Sequence, residues 1–145
     1  MTGESCPLPS GKESSDSDAI GRMLSARRIA VVGLSDDPMR PSYGVARYLM
    51  SVGKEVIPIN PSHEQVMGLK CYSSLKEAPL PIDLVNVFRR PAACGQVARD
   101  AIAIGAKGLW LQSGITNEEA RQLASEAGID FVQNKCILVE HRYAR

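Results

Sequence analysis

Short apolar runs alternate with amphipathic segments along most of this chain. The apolar runs cover residues 29–32, 55–59, 82–88, 107–112 and 129–132. Three intervening segments have the helical spacing of apolar residues and end just before Gly53, Gly105 or Gly128. Strands that alternate with helices of about 10–15 residues form right-handed crossover units. We therefore expect an α/β, Rossmann-like doubly wound fold: a mostly parallel five-stranded sheet, with helices on both faces and the first strand at its centre.

Three local signals add detail to this expectation. Asp18 is suited to cap a short helix over Ala19–Ser25. Pro58 lies inside the second apolar run, and because proline cannot donate to a strand ladder it indicates an edge strand or a bulge. Thr116 and Glu119 have the spacing of a capping box, which predicts a helix start at Thr116.

Length and charge exclude several classes of partner. The chain has 145 residues, which fits one domain, and 17 Lys and Arg against 16 Asp and Glu leave a net charge of +1. That charge does not favour nucleic acid, and the 5% of aromatic residues do not suggest a base-stacking platform. No apolar run approaches the roughly 20 residues that cross a membrane. Residues 1–17, rich in Ser, Gly, Pro and Asp, predict a flexible N-terminal tail before a single domain over residues 18–145.

The cysteines indicate the compartment. Cys6, Cys71, Cys94 and Cys136 are separated by 65, 23 and 42 residues, without the close pairs of a zinc site. A chain of this length does not need disulfides to be stable. The start of the chain lacks the apolar core and basic residues of a signal peptide. We therefore expect reduced thiols and a cytoplasmic protein, with no bound metal.

Ligands of doubly wound sheets bind beyond the carboxyl ends of the strands, which directs attention to the loop after the first strand. Gly33 permits a close approach of backbone to ligand, and Ser42 is suited to cap the following helix, whose N-terminus attracts anions. Arg40 adds a positive charge suited to a diphosphate, and we expect Asp36 and Asp37 to point outward. Many α/β proteins have such a turn without binding phosphate, so this loop alone leaves both alternatives open.

The ends of the next two strands narrow the choice of nucleotide. Asn60 and Pro61 stand where NAD-binding domains carry an Asp or Glu for the ribose, which disfavours NAD and leaves room for a phosphorylated ribose; the alternative is a simple Asn-Pro turn. Arg89 follows Val87 and Phe88, which suggests a phosphate contact beside an apolar wall for adenine. The alternative is a core Phe88 beside solvated arginines, and for Arg90 we favour that alternative.

Candidates for catalysis are few. His63 and His141 lie far apart in the sequence, and no Ser/His/Asp or Cys/His arrangement follows from the spacing. Cys71 and Cys136 would be reactive only with a lowered pKa, and cysteines in such positions are more often inert. No catalytic residue is therefore assigned, and whether the protein is an enzyme stays open, with a non-enzyme favoured.

Several longer segments resemble a known family. The segments are IAVVGLSDDPMRPSYGVARYLMSVGKEVIPINP, DLVNVFRRP, AIAIGAKGLWLQSGI, AGIDFV and KCILVEH. Together they resemble the stand-alone CoA-binding domain family, which is related to the CoA-binding domain of the succinyl-CoA synthetase alpha subunit. The resemblance extends over about residues 20–143. It departs from the family at Ser113, where members often read LQLG, and at Asn134, where they often read MDRC with an acidic residue.

The resemblance implies a Rossmann-type protein that binds coenzyme A or an acyl-CoA through its ADP portion, as a small carrier, sensor or regulatory protein. It implies a diphosphate loop formed by Gly33, Ser35, Arg40 and Ser42, and an adenosine site beside Asn60 and Pro61. It further implies that Val87, Phe88 and Arg89 surround the adenine and ribose phosphate, and that Gln112 and Gly114 flank the pantetheine arm. The alternatives are an NADP-dependent oxidoreductase and an interaction module without ligand. A homodimer is compatible with the sequence.

Overall fold

Helices and strands alternate through residues 11–144, the part of the chain that the computed structural model describes, with side chains from Ser17 onward. In chain order the elements are α1 (Gly11–Leu24), β1 (Arg28–Val32), α2 (Pro41–Ser51), β2 (Glu55–Ile59), β3 (Gln65–Val66), β4 (Leu69–Lys70), β5 (Leu84–Val87), α3 (Cys94–Ala103), β6 (Gly108–Leu111), α4 (Glu118–Ala127), β7 (Asp130–Val132) and α5 (Ile137–Arg142). Short 3-10 turns cover Leu75–Glu77 and Pro91–Ala93.

Five strands form one parallel sheet in the order β2-β1-β5-β6-β7. The predicted Rossmann-like fold is thus confirmed, but the predicted central position of β1 is wrong. The chain adds only β2 on one side of β1 before it crosses back to add β5, β6 and β7 on the other side. The central strand is therefore β5, and the order reverses between β1 and β5, where doubly wound folds bind their ligands.

Pro58 fits the sheet because β2 is an edge strand, as predicted. The N–H of Tyr72 donates to the Pro58 carbonyl at 3.0 Å, on the side of β2 away from β1. The N–H and C=O of a strand residue point to the same side, so the missing N–H of Pro58 faces this outer edge. The small antiparallel hairpin β3–β4 lies beside it.

Side chains of the sheet alternate between two cores. Ile29 and Val31 of β1 pack under α1, α2 and α5, whereas Ala30 and Val32 pack under α3 and α4. Trp110 of β6 is fully buried on the α1, α2 and α5 side, and its Nε1 donates to the Lys135 carbonyl at 2.8 Å. Both faces of the sheet are covered by helices, as expected for parallel strands with continuous apolar runs.

The first helix is longer than predicted. It begins at Gly11 rather than Ala19, so residues 11–17 of the predicted tail are helical, while residues 1–10 lie outside the described residues. Tertiary contacts hold this helix: Ala19 and Met23 are buried, and the Arg22 guanidinium donates to both carboxylate oxygens of Asp130 at 2.8 and 2.9 Å. Packing of one face stabilises a helix more than the propensities of its residues do.

The helix after β6 has a different cap from the predicted one. Asn117, not Thr116, is the N-cap residue, and its side chain accepts a hydrogen bond from the N–H of Ala120 at 2.7 Å. Glu119 instead pairs with Arg99 of α3 at 2.5 Å, so it is not available for a capping box. The predicted end of this helix is confirmed, because Gly128 caps it in the left-handed conformation at φ +75°.

Candidate functional site

Gly33 joins the ends of three strands at the reversal point of the sheet. Its N–H donates to the Ile59 carbonyl at the end of β2, at 2.8 Å. Its φ is +87°, and a Cβ atom there would lie 2.6 Å from the Phe88 carbonyl oxygen and 3.3 Å from Cδ of Arg89. Only glycine combines this backbone conformation with this contact. The structure therefore brings Gly33, Phe88 and Arg89 together, as the sequence predicted.

The loop from β1 to α2 is held by its own side chains. The N–H of Ser35 donates to Ser42 Oγ at 3.0 Å, and the N–H of Asp37 donates to Ser35 Oγ at 3.0 Å. Ser42 is buried, and the prediction that it caps α2 is wrong. The N-cap residue is Arg40, whose side chain makes no capping hydrogen bond. Ser42 is the second residue of α2, beyond the N-cap position, and its hydroxyl oxygen binds the N–H of Ser35 instead. Its hydroxyl hydrogen stays available to a ligand.

The two aspartates of this loop are exposed, as predicted. Asp36 accepts a hydrogen bond from the N–H of Met67 in the β3–β4 turn, at 3.4 Å. Asp37 accepts from the N–H of Met39 at 2.9 Å. Both carboxylates are thus engaged by backbone N–H groups, which reduces their repulsion of an anion at this loop.

Asn60 connects the end of β2 to the same loop. Its Nδ2 donates to the Leu34 carbonyl at 3.0 Å, and its Oδ1 accepts from the N–H of Ser62 at 2.9 Å. Both readings of the sequence therefore apply, since Asn60 forms a turn and also borders the site. A cleft of about 650 Å³ opens beside Pro61, with His63 and Lys70 among its lining residues.

Positive charge collects at the carboxyl ends of β1 and β5. Arg40, Arg89 and Arg90 form no ion pair with any residue in the part of the chain described. Arg89 is half-buried beside Gly33, whereas Arg90 is exposed. Phe88 is partly buried against the core under α1, α2 and α5, so it is not wholly enclosed.

Val87 does not fit its predicted role as an adenine wall. Its side chain is 0% exposed and belongs to the core under α3 and α4. Adjacent residues of a strand point to opposite faces, so Val87 and Phe88 cannot both line one side of a ligand. The structure places Val87 inside and leaves Phe88 at the site.

Gln112 and Gly114 follow β6 and are fixed by hydrogen bonds. Gln112 is 4% exposed, and its Oε1 accepts from Asn86 Nδ2 and from the N–H of Ile137, both at 3.0 Å. The N–H of Gly114 donates to Oδ1 of Asn134 at 2.7 Å. Asn134 thus supplies an acceptor oxygen although it is not acidic. The sequence analysis did not single out Asn86. The feature that could have drawn attention to it is a single amide side chain within the apolar run LVNV.

Two cysteine thiols near the site have raised pKa values. Burial raises the pKa of the Cys71 thiol. Burial also raises the pKa of the Cys94 thiol, against the opposing charge of Arg89. A raised pKa keeps these thiols protonated at neutral pH. His141 contacts Tyr48, with 2.8 Å between Nδ1 and the tyrosine oxygen.

A scan against protein-family models matches residues 27–142 to a family described as CoA binding domain. The chain belongs to this family. The protein resembles the uncharacterised protein YneT of Bacillus subtilis (strain 168), at 45% identity over 116 residues, which are 80% of this chain and 86% of that protein. A hypothetical protein from Pyrococcus horikoshii OT3 has a similar structure, with a TM-score of 0.83 and 38% identity over 88% of this chain and 89% of that one.

This CoA-binding domain family member also resembles part of a larger enzyme. It is 30% identical to the alpha subunit of the ADP-forming acetate–CoA ligase II of Pyrococcus furiosus over 132 residues, or 83% of this chain. That match covers only 29% of the ligase subunit, so the activity of the ligase does not transfer with the fold. Among the described residues no helix is long and apolar enough to span a membrane, and no His, Cys, Asp and Glu side chains cluster as metal ligands do.

Proposed function

We propose that this protein binds coenzyme A, or an acyl-CoA, through its ADP portion at the reversal point between β1 and β5. The observation that carries the proposal is the convergence of Gly33, Phe88 and the unpaired Arg89 at that point. The family supports the same ligand.

The diphosphate would lie at the loop between β1 and α2. The N–H groups of Asp36 and Ser42 donate to no acceptor among the described residues, and the hydroxyl of Ser42 has a hydrogen to donate. The positive end of the α2 dipole and the Arg40 guanidinium add attraction for phosphate oxygens. Gly33 and Ser35 shape the backbone of this loop.

The adenosine would lie between the ends of β2 and β5. Asn60 and Pro61 border this region, and Phe88 offers an apolar surface for the adenine ring. We assign the ribose 3′-phosphate to Arg89, because a guanidinium pairs with two phosphate oxygens at once. The missing acidic residue at the end of β2 favours a phosphorylated ribose over the free hydroxyls of NAD.

The pantetheine arm would extend from the diphosphate toward β6. Neighbouring strands are about 4.8 Å apart, so the arm crosses about 10 Å from β1 over β5 to reach Gln112 and Gly114. Gln112 Nε2 has no partner among the described residues and is not one of the enclosed polar atoms. Its N–H groups suit an amide carbonyl of pantetheine.

We further propose a cytoplasmic role as a small carrier, sensor or regulatory protein. The raised pKa values of Cys71 and Cys94 support binding without covalent chemistry at these thiols. The acyl group that accompanies CoA would be exposed near Gly114.

Isothermal titration calorimetry with CoA, dephospho-CoA and NADPH tests the proposal. We expect CoA to bind with micromolar affinity or tighter, and dephospho-CoA to bind more weakly because it lacks the 3′-phosphate. Native mass spectrometry of freshly purified protein should show a copurified mass the size of CoA. Binding of NADPH without CoA would favour an oxidoreductase instead, and binding of none of the three would favour an interaction module.

A further inference from the structure

Asn86 is a buried amide in the middle of the sheet. It lies on β5, is 0% exposed, and stands between the buried Val85 and Val87 along the strand. Its Nδ2 donates to Gln112 Oε1 at 3.0 Å, but its Oδ1 is fully enclosed and has no partner among the described residues. An enclosed acceptor without a donor destabilises a fold, so a leucine here would serve packing better than an asparagine.

The direction of this hydrogen bond is determined by the backbone. The N–H of Ile137, at the start of α5, can only donate, and it donates to Gln112 Oε1 at 3.0 Å. The oxygen of the Gln112 amide must therefore face Ile137, and the nitrogen of Asn86 must face that same oxygen. A rotated Gln112 amide would place N–H groups against two donors at once.

This arrangement leaves one group of Gln112 free. Both interior donors bind Oε1, whereas Nε2 has no partner among the described residues and is not enclosed. Residue 112 follows β6 directly, beside the end of β5. The Nε2 group is therefore presented where the pantetheine arm would pass.

We infer that Asn86 is a positioning residue, which orients the amide of Gln112 so that Nε2 donates to a carbonyl oxygen of the pantetheine arm. The inference rests on the proposed function and adds to it a buried residue that makes no contact with ligand itself. It explains why an amide with an unpartnered oxygen is kept in an apolar strand: the loss in stability is offset by orientation of the ligand-binding group.

Two variants separate orientation from packing. Asn86→Leu removes the donor to Oε1 and the enclosed oxygen together, with a side chain of similar size. Gln112→Glu keeps an acceptor for Asn86 and Ile137 but removes the N–H groups of Nε2. Val97→Ala, in the core under α3 and α4, is the control for loss of packing away from the site.

Calorimetry with CoA and with 3′-phosphoadenosine 5′-diphosphate, which is CoA without pantetheine, measures the effect. We expect Asn86→Leu to bind CoA about three- to tenfold more weakly, the loss for one neutral hydrogen bond, and to bind the fragment as the wild type does. Gln112→Glu should lose at least as much affinity for CoA, because its carboxylate also repels the pantetheine carbonyl, and should lose less for the fragment than for CoA. The double variant should bind CoA no more weakly than Gln112→Glu alone, since Asn86 acts through Gln112. Asn86→Leu should unfold at no lower urea concentration than the wild type, and Val97→Ala should change stability but not the ratio of the two affinities.

The outcomes distinguish the two proposals. Three outcomes would overturn the role of Asn86 without affecting the proposal that the protein binds CoA. They are an equal loss of affinity for CoA and for the fragment, no loss of affinity for either, and additive losses of CoA affinity in the double variant. Wild-type protein that binds neither CoA nor the fragment would overturn the proposed function itself. If Asn86→Leu does not fold, the Gln112→Glu measurement decides: an unchanged ratio of affinities overturns the inference.

Discussion

The carbonyl oxygen of Phe88 lies 2.6 Å from the position that a Cβ atom of residue 33 would occupy. The loop after β1 therefore passes directly against the end of β5, and the Arg89 side chain lies beside the same point. The crossing of these two segments creates the candidate site, and a side chain at residue 33 would separate them.

Gly33→Ala should therefore destabilise the fold and abolish ligand binding. The clash and the positive φ together should lower the free energy of unfolding by about 1–3 kcal/mol, and CoA binding should fall more than about tenfold. Gly53→Ala is a matched control, because Gly53 has a φ of +91° but no atom within 4 Å of its Cβ position. Urea denaturation and calorimetry of both variants measure the difference; equal effects of the two substitutions on binding would contradict a role for the contact with Phe88.

Arg89→Met should weaken CoA binding about 10- to 100-fold, because it removes the charge-assisted contact that we propose with the ribose phosphate. Binding of dephospho-CoA should change little. Arg90→Met should change either affinity less than about threefold, since Arg90 is exposed and solvated at the same strand end. Titrations of both ligands with both variants test the assignment, and it fails if Arg90→Met has the larger effect.

Asn117→Ala should lower the free energy of unfolding by about 1 kcal/mol, because the N–H of Ala120 loses its capping oxygen. Thr116→Ala should have an effect within about 0.5 kcal/mol, the usual range for an exposed residue without special contacts. Urea denaturation of the two variants distinguishes the caps. A larger loss for Thr116→Ala would restore the capping box expected from the sequence.

His141 should make the fold less stable in mildly acidic solution. Burial and the nearby Lys54 charge hold the pKa of His141 below its usual value of 6.5, so the unfolded chain binds a proton more readily than the folded one. Stability is then fully present above pH 6.5 and falls as the pH drops from 6.5 through the folded pKa.

The measurement compares the wild type with His141→Gln, which keeps a hydrogen-bonding side chain beside Tyr48 but does not titrate. The difference in free energy of unfolding between the two proteins should be constant from pH 7 to 8. Between pH 6.5 and 5 the free energy of unfolding of the wild type should fall relative to that of His141→Gln. A difference that does not change with pH would show that His141 has the same pKa in both states.

The periodicity of the sequence was sufficient for the five strands of the sheet, the helices α2, α3 and α4 and the class of fold, but not for the length of α1 or for the helix α5. Parallel strands buried on both faces are continuous apolar runs, and helices end at glycine for a local steric reason. The candidate loop was equally visible, because Gly33 and the residues after Asn60 and Phe88 follow strand ends, where such sheets bind ligands. These signals lie within a few neighbouring residues, so they can be read before the chain is folded.

The order of the strands and the partners of buried polar groups were decided only by tertiary structure. No local pattern predicts that β5 rather than β1 is the central strand. Nor does one predict that Val87 packs into the core under α3 and α4 while Phe88 lies on the opposite face of the sheet. Gln112 meets Asn86 across 26 residues and Ile137 across 25. Such pairs depend on which elements the whole chain brings together. The sequence by itself determined the Rossmann-like fold and predicted a candidate site at the strand ends, and packing decided which of the predicted side chains are buried there and which are exposed.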